Sequence, residues 1–184
     1  MSGTRSDAGY EPVTLFVGSY AEADEPGIHI VSFAPASTAL EPVAAFSGVT
    51  NPSFLAVRGD RLIAVSETGS GAVHAFSLRR DPMRLDPLSL AGTRGDYPCH
   101  LAWFDRWIAV SNYGTGNVVV VPVTADGVGE VVSEVQHQGS GPNRLRQEGP
   151  HAHSAVFSPD GRFLLVADLG IDRVVVYEFN QDSG

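Results

Sequence analysis

The feature that most limits the fold is a set of apolar runs that returns along the chain in a fixed order. NPSFLAV (51–57), RLIAVSETG (61–69) and GAVHAFSL (71–78) are followed by YPCHLAW (97–103), RWIAVSNYG (106–114) and GNVVVVPV (116–123). A third copy reads HAHSAVF (151–157), FLLVADL (163–169) and RVVVYEF (173–179). Ser66-Glu67 aligns with Ser111-Asn112, 45 residues on, and with Ala167-Asp168, a further 56 residues on. The same alignment puts Phe54, His100 and His153 in equivalent places. Val, Leu, Phe and Tyr dominate the runs, and they suit a pleated surface. Asp160-Gly161 between two apolar runs is a strong hairpin signal. Each copy has room for a fourth strand: LEPVAAFSG (40–48), LDPLSLAG (85–92) and GEVVSEVQ (129–136). A period of this size with four strands per unit is the blade of a β-propeller.

The expected fold is therefore all-β: a partial β-propeller of about three and a half four-stranded antiparallel blades, fourteen strands in one incomplete domain. The blades fall roughly at 11–49, 50–95, 96–138 and 150–184, the last incomplete. The first is built from TLFVGSY (14–20), GIHIVSF (27–33) and LEPVAAFSG, with no inner strand before them. Residues 1–10 are expected to form a frayed tail. A β-sandwich is the competing reading; the recurrence of Ser-X, Gly and Pro in register favours the propeller.

Composition narrows the function. A net charge of −9 argues against nucleic acid as a partner. All twelve basic residues are arginine. The absence of lysine excludes Schiff-base chemistry and a phosphate-loop lysine, so an anionic ligand must be held by arginine, histidine or backbone amides. No apolar run reaches the length of a membrane helix, and MSGTRSDAGYEP is not a signal peptide. Cys99 is alone, which excludes an internal disulfide and favours the cytoplasm. No Gly-X-Ser-X-Gly elbow appears, so a serine nucleophile is not expected. Asp168 and Asp172 lack the dense oxygen spacing of a calcium loop. His-X-His alone does not complete a zinc site, and no metal is expected.

Propellers bind ligands near the central channel, at the innermost strands. The inner strands expected here are NPSFLAV, YPCHLAW and HAHSAVF. Strand alternation puts His151 and His153 on one face. They stand beside Arg146 and Glu148 in the polar segment His137 to Pro150, a loop of the kind that carries function. Histidine is matched to proton transfer near neutral pH. Arg146 and Arg144 are candidates for a phosphate or carboxylate. His100, one blade earlier, can line the same channel. For each there is a plain structural alternative: a histidine ordering the loops between blades, or an arginine or glutamate in a surface ion pair. Glu67, Asn112 and Asp168, after their second strands, are expected to cap turn amides.

GSY (18–20), NPSFLAV, YPCHLAW, SNYGTGNV (111–118) and RQEGPHAHSAVFSPDGRFLLVADLG (146–170) resemble the lactonase family of seven-bladed propellers, which includes bacterial 6-phosphogluconolactonase and fungal carboxy-muconate cyclase. RQEGPHAHS is the specific element. Such proteins are roughly twice as long, so the resemblance is to their N-terminal half. It implies hydrolysis of 6-phosphogluconolactone, a small anionic sugar lactone, in the pentose phosphate route, without metal or organic cofactor. His153 or His151 would act as base or acid, Arg146 would hold the substrate anion or oxyanion, and Arg144, Glu148 and His100 would bind substrate. The alternatives are a lactone-forming cyclase and a non-enzymatic half-propeller that serves as a fragment or binding scaffold. An incomplete ring is expected to expose its end blades and to self-associate through them.

Overall fold

The computed structural model describes residues 11–184, and the expected N-terminal tail lies outside them. The strands form four separate antiparallel sheets in chain order. The first holds β1 (Val13–Gly18), β2 (Ile28–Ala34) and β3 (Ala39–Phe46). The second holds β4 (Leu55–Arg58), β5 (Arg61–Ser66), β6 (Ala72–Arg80) and β7 (Met83–Gly92). The third runs from β8 (Pro98–Phe104) through β9 (Trp107–Asn112) to β10 (Asn117–Thr124), which pairs with both β11 (Gly127–Val128) and β12 (Ser133–Gln136). The fourth holds β13 (Ala152–Phe157), β14 (Phe163–Asp168) and β15 (Arg173–Glu178). No helix occurs among the described residues. The two-residue β11 is the one strand beyond the expected fourteen. Ser89 of β7 fixes it across the gap between sheets: its Oγ accepts from Val128 N at 2.7 Å and donates to Val128 O at 3.0 Å.

The core lies between the sheets, which is why successive residues of the central strands are all apolar. In β5, Ile63 and Val65 pack with Leu101, Ile108 and Val110 of the third sheet. Leu62 and Ala64, on the opposite face, pack with Ile28 and Phe16 of the first. Ala109 and Val118 meet Ala152, Ala155, Leu164 and Val166 of the fourth. Every residue of β9 is buried. Stacked sheets that share apolar faces in this way are consecutive blades of a propeller, with β8 touching both β4 and β13 along the inner edge. The outer faces of the stack differ. Val13, Leu15 and Val17 on β1 are exposed, as are Val156, Leu165, Val174 and Val176 on the fourth sheet.

The Ser158–Gly161 turn forms as its sequence directs. Gly161 adopts φ +69°, a conformation glycine reaches without steric cost, and its N–H donates to Ser158 O at 2.8 Å. The equivalence of Phe54, His100 and His153 does not hold. In β8, Pro98 pairs with Asn112 and His100 with Ser111, so a bulge passes over Cys99. In β13, Ala152 pairs with Asp168 and Ser154 with Ala167, so the same bulge passes over His153. His153 therefore corresponds to Cys99, and His100 to Ser154. A bulge inserts one residue and re-aims a side chain, which a strict two-residue alternation does not foresee.

Candidate active site

The re-aimed residues face one cavity of about 340 Å³. It is lined by Tyr20, Ser53, Glu67, Cys99, Tyr113, Arg146 and His153. All four blades contribute. Tyr20, Glu67 and Tyr113 follow second strands; Ser53, Cys99 and His153 stand at the heads of inner strands.

His153 is exposed to this cavity, and its ring meets Tyr113 edge-on, 85° between planes at 5.8 Å. Its carbonyl accepts from the Cys99 thiol at 3.3 Å. Arg146 is brought in by a loop that Gln147 fastens. Gln147 Oε1 accepts from Asn143 N and its Nε2 donates to Leu169 O, both at 2.8 Å. The loop also needs Gly170, where an added Cβ would lie 1.9 Å from Gly149 O and 2.7 Å from His151 N.

His151 is placed differently. Its ring stacks on Tyr113 at 4.5 Å and 13°, and Nδ1 lies 2.9 Å from Tyr113 O, to which it donates. Nε2 is 3.4 Å from Glu148 Oε1, and the side chain is 14% exposed. Both ring nitrogens are thus engaged, away from the cavity lining. A backbone amide bond, with the His151 ring adding to it, holds the Glu148 carboxyl below its ordinary range. Arg144 lies with Glu148 and Gln147 in a separate open depression. His100 also stays out of the cavity lining. Its Nδ1 accepts from Ala155 N at 3.3 Å, its ring is 4.2 Å from that of Phe54, and burial, then the charge of His153, push its pKa down. It is a neutral acceptor joining the third blade to the fourth.

Asp168 caps turn amides as its position suggests: Oδ1 accepts from the backbone N–H of His151, Gly170 and Ile171. Its Oδ2 takes a further bond that the sequence does not announce. His137, buried at the start of the loop, donates Nδ1–H to it at 2.6 Å. His137 Nε2 then accepts from Tyr177 OH at 2.7 Å. Burial, then Asp168, raises the pKa of Tyr177. This chain sits directly beneath the head of β13 and fixes where that strand starts.

Glu67 departs from the capping role of Asp168. Asn112 is buried too but does not cap: its Nδ2 donates to Thr93 O at 3.0 Å and, among the described residues, its Oδ1 accepts from no group. Of the three expected caps only Asp168 acts as one, while Glu67 lines the cavity. Its Oε2 accepts from Tyr20 OH at 2.9 Å and from Ser53 Oγ in a short bond. Burial first, and the Glu67 charge second, push the Cys99 thiol up to about 12. The only sequence signal for Glu67 was that a charged, longer side chain holds a position filled elsewhere by Asn and Asp. Among the described residues, no cluster of three His, Cys, Asp or Glu side chains is suited to a metal ion.

Four stacked antiparallel blades with a polar cavity at their inner edge define a partial β-propeller. The family model for lactonases with a seven-bladed β-propeller matches residues 14–184, and the chain belongs to that family. It is 32% identical over 169 residues to the 6-phosphogluconolactonase of Bacillus subtilis, covering 89% of this chain and 48% of that protein. It is 27% identical over 178 residues to that of Formosa agariphila, covering 92% and 50%. The solved structure of the periplasmic gluconolactonase of Pseudomonas aeruginosa superposes with a TM-score of 0.84 at 32% identity, over 92% of this chain and half of that one. The chain spans about half the length of the curated relatives it matches.

Proposed function

We propose that this chain forms the site of a lactonase that hydrolyses 6-phosphogluconolactone to 6-phosphogluconate. The observation that carries the reading is the meeting of Arg146 and His153 in one cavity, on a fold whose relatives are named for that activity. A lactone is an activated ester, so a proton-transfer group beside water and a positive charge near the carbonyl oxygen are sufficient chemistry. His153 is the proton-transfer group, since its ring reaches the cavity. His151 is a positioning residue that locks Tyr113 and the loop. Arg146 holds the substrate anion or the developing oxyanion, for which a guanidinium offers paired donors. A place in the pentose phosphate route and a cytoplasmic setting belong to the same proposal; the Pseudomonas aeruginosa relative is described as periplasmic.

The Pseudomonas relative is also described as a gluconolactonase, which favours the unphosphorylated lactone as a second substrate. Acid release from both lactones, corrected for spontaneous hydrolysis, distinguishes the two. In a protein that also carries the remaining blades of its longer relatives, in one chain or by complementation, His153→Ala is expected to lower turnover by about 10²–10⁴-fold. Near-normal turnover of that variant removes His153 from the mechanism. Saturable binding of both lactones without hydrolysis would favour the binding scaffold over the enzyme.

A further inference from the structure

Opening a lactone requires two proton transfers. Water loses a proton as its oxygen bonds to the carbonyl carbon, and the ring oxygen gains one as its bond to that carbon breaks. We propose that Glu67 is the general base for the first transfer, leaving His153 to act as the acid in the second; the inference rests on the lactonase reading above.

Three observations carry it. Glu67 and His153 line the same cavity from different blades, so two groups of different chemistry reach one substrate. The carboxylate is held by its back oxygen: Tyr20 and Ser53 both donate to Oε2, and within the described residues no hydrogen bond is made to Oε1. A carboxylate oriented through one oxygen presents the other to water. Arg146 lines the same cavity, yet Glu67 forms no ion pair with it or any other cation in the described residues. The opposite charges remain apart, available to substrate.

In the first step a water gives its proton to Glu67 Oε1 and its oxygen adds to the lactone carbon; the carbonyl π electrons move to oxygen, beside Arg146. In the second, the oxyanion collapses, the bond between that carbon and the ring oxygen breaks, and the ring oxygen takes a proton from the His153 imidazolium. Glu67 then returns its proton through solvent to His153. The sum is lactone plus water giving the hydroxy acid, which ionises in solution. Tyr20 and Ser53 are positioning residues that act through Glu67.

The test uses the chain supplied with the remaining blades of its longer relatives, with 6-phosphogluconolactone and glucono-δ-lactone as substrates. Glu67→Gln is expected to lower kcat by about 10²–10⁴-fold with little change in KM. Glu67→Asp should recover part of the rate. Tyr20→Phe should lower kcat less than Glu67→Gln does. Wild-type kcat in Glu67→Gln, or a rise in KM alone, overturns the inference while leaving the lactonase reading intact. Absence of hydrolysis by the wild-type protein with those blades supplied overturns both.

Discussion

Replacing Asp168 tests how far the candidate site depends on one buried carboxylate. The side chain is fully buried and accepts four bonds: three backbone amides on Oδ1 and His137 on Oδ2. A buried donor left without a partner costs about 1–3 kcal/mol. The four losses are not independent, because the amides of Gly170 and Ile171 can shift together toward solvent. Breaking a buried pair from one side costs about 3–5 kcal/mol, and that is the expected penalty for Asp168→Ala. Asp168→Asn keeps the amide bonds through its carbonyl but sets an NH₂ against His137 Nδ1. The imidazole must then change tautomer and donate from Nε2 to the Tyr177 oxygen, where it now accepts. The Asn NH₂ then donates to Nδ1, so all four contacts persist with a neutral partner in place of the carboxylate, which limits the loss to about 1–2 kcal/mol. Urea unfolding followed by tryptophan fluorescence measures both, with Trp107 packed against the fourth blade through Phe179. An Asp168→Ala chain within about 0.5 kcal/mol of wild type, the range of an ordinary surface substitution, would show that the network does not hold the fourth blade.

Two further outcomes follow from the geometry. Cys99 has its thiol pushed from 9.0 up to about 12 by burial and then by Glu67, so at pH 8 it should react with iodoacetamide about 10²–10⁴-fold more slowly than a free thiol. Because the thiolate is the disfavoured form, the rate should keep climbing between pH 9 and 12, where an exposed thiol has levelled off; a plateau near pH 9 refutes the assigned environment. The exposed apolar rows of β1 and the fourth sheet should drive self-association, read by light scattering at micromolar concentration and reduced by Val174→Glu and Val176→Glu. A monodisperse monomer that the substitutions leave unchanged would remove these faces as an interface.

The blades were legible because each strand must satisfy two constraints at once, alternation and burial on both faces, and Ile63 to Val65 or Ile108 to Val110 meet both. The hairpin at Asp160-Gly161 was legible because only a few residues accept that backbone. The site was read less well. Arg146 and His153 were singled out by residue type and position, and they line the cavity. His151 was paired with His153 by alternation, and a bulge separates them, since one inserted residue changes direction without changing composition. Arg144, Glu148 and His100 were grouped with the site by proximity in sequence or in repeat. Their contacts put them on the loop surface or between blades. His137 gave no signal because its partners, Asp168 and Tyr177, lie 31 and 40 residues away. Glu67 was read by analogy with Asn112 and Asp168, and analogy between repeats fails where one copy has been put to another use.

The cavity draws its lining from four sheets that have separate hydrogen-bond ladders. No strand ladder crosses from one sheet to the next at the positions that line it, so its shape is set by side-chain packing and a few single hydrogen bonds at three joints in series. In such a nearest-neighbour stack, each joint opens with its own free energy. Releasing the first sheet removes Tyr20 and one of the two hydroxyls on Glu67; releasing the fourth removes His153. Either event dissolves the site while the two middle sheets, buried on both sides, remain folded. The durability of the site is then that of its weakest joint, not of the domain.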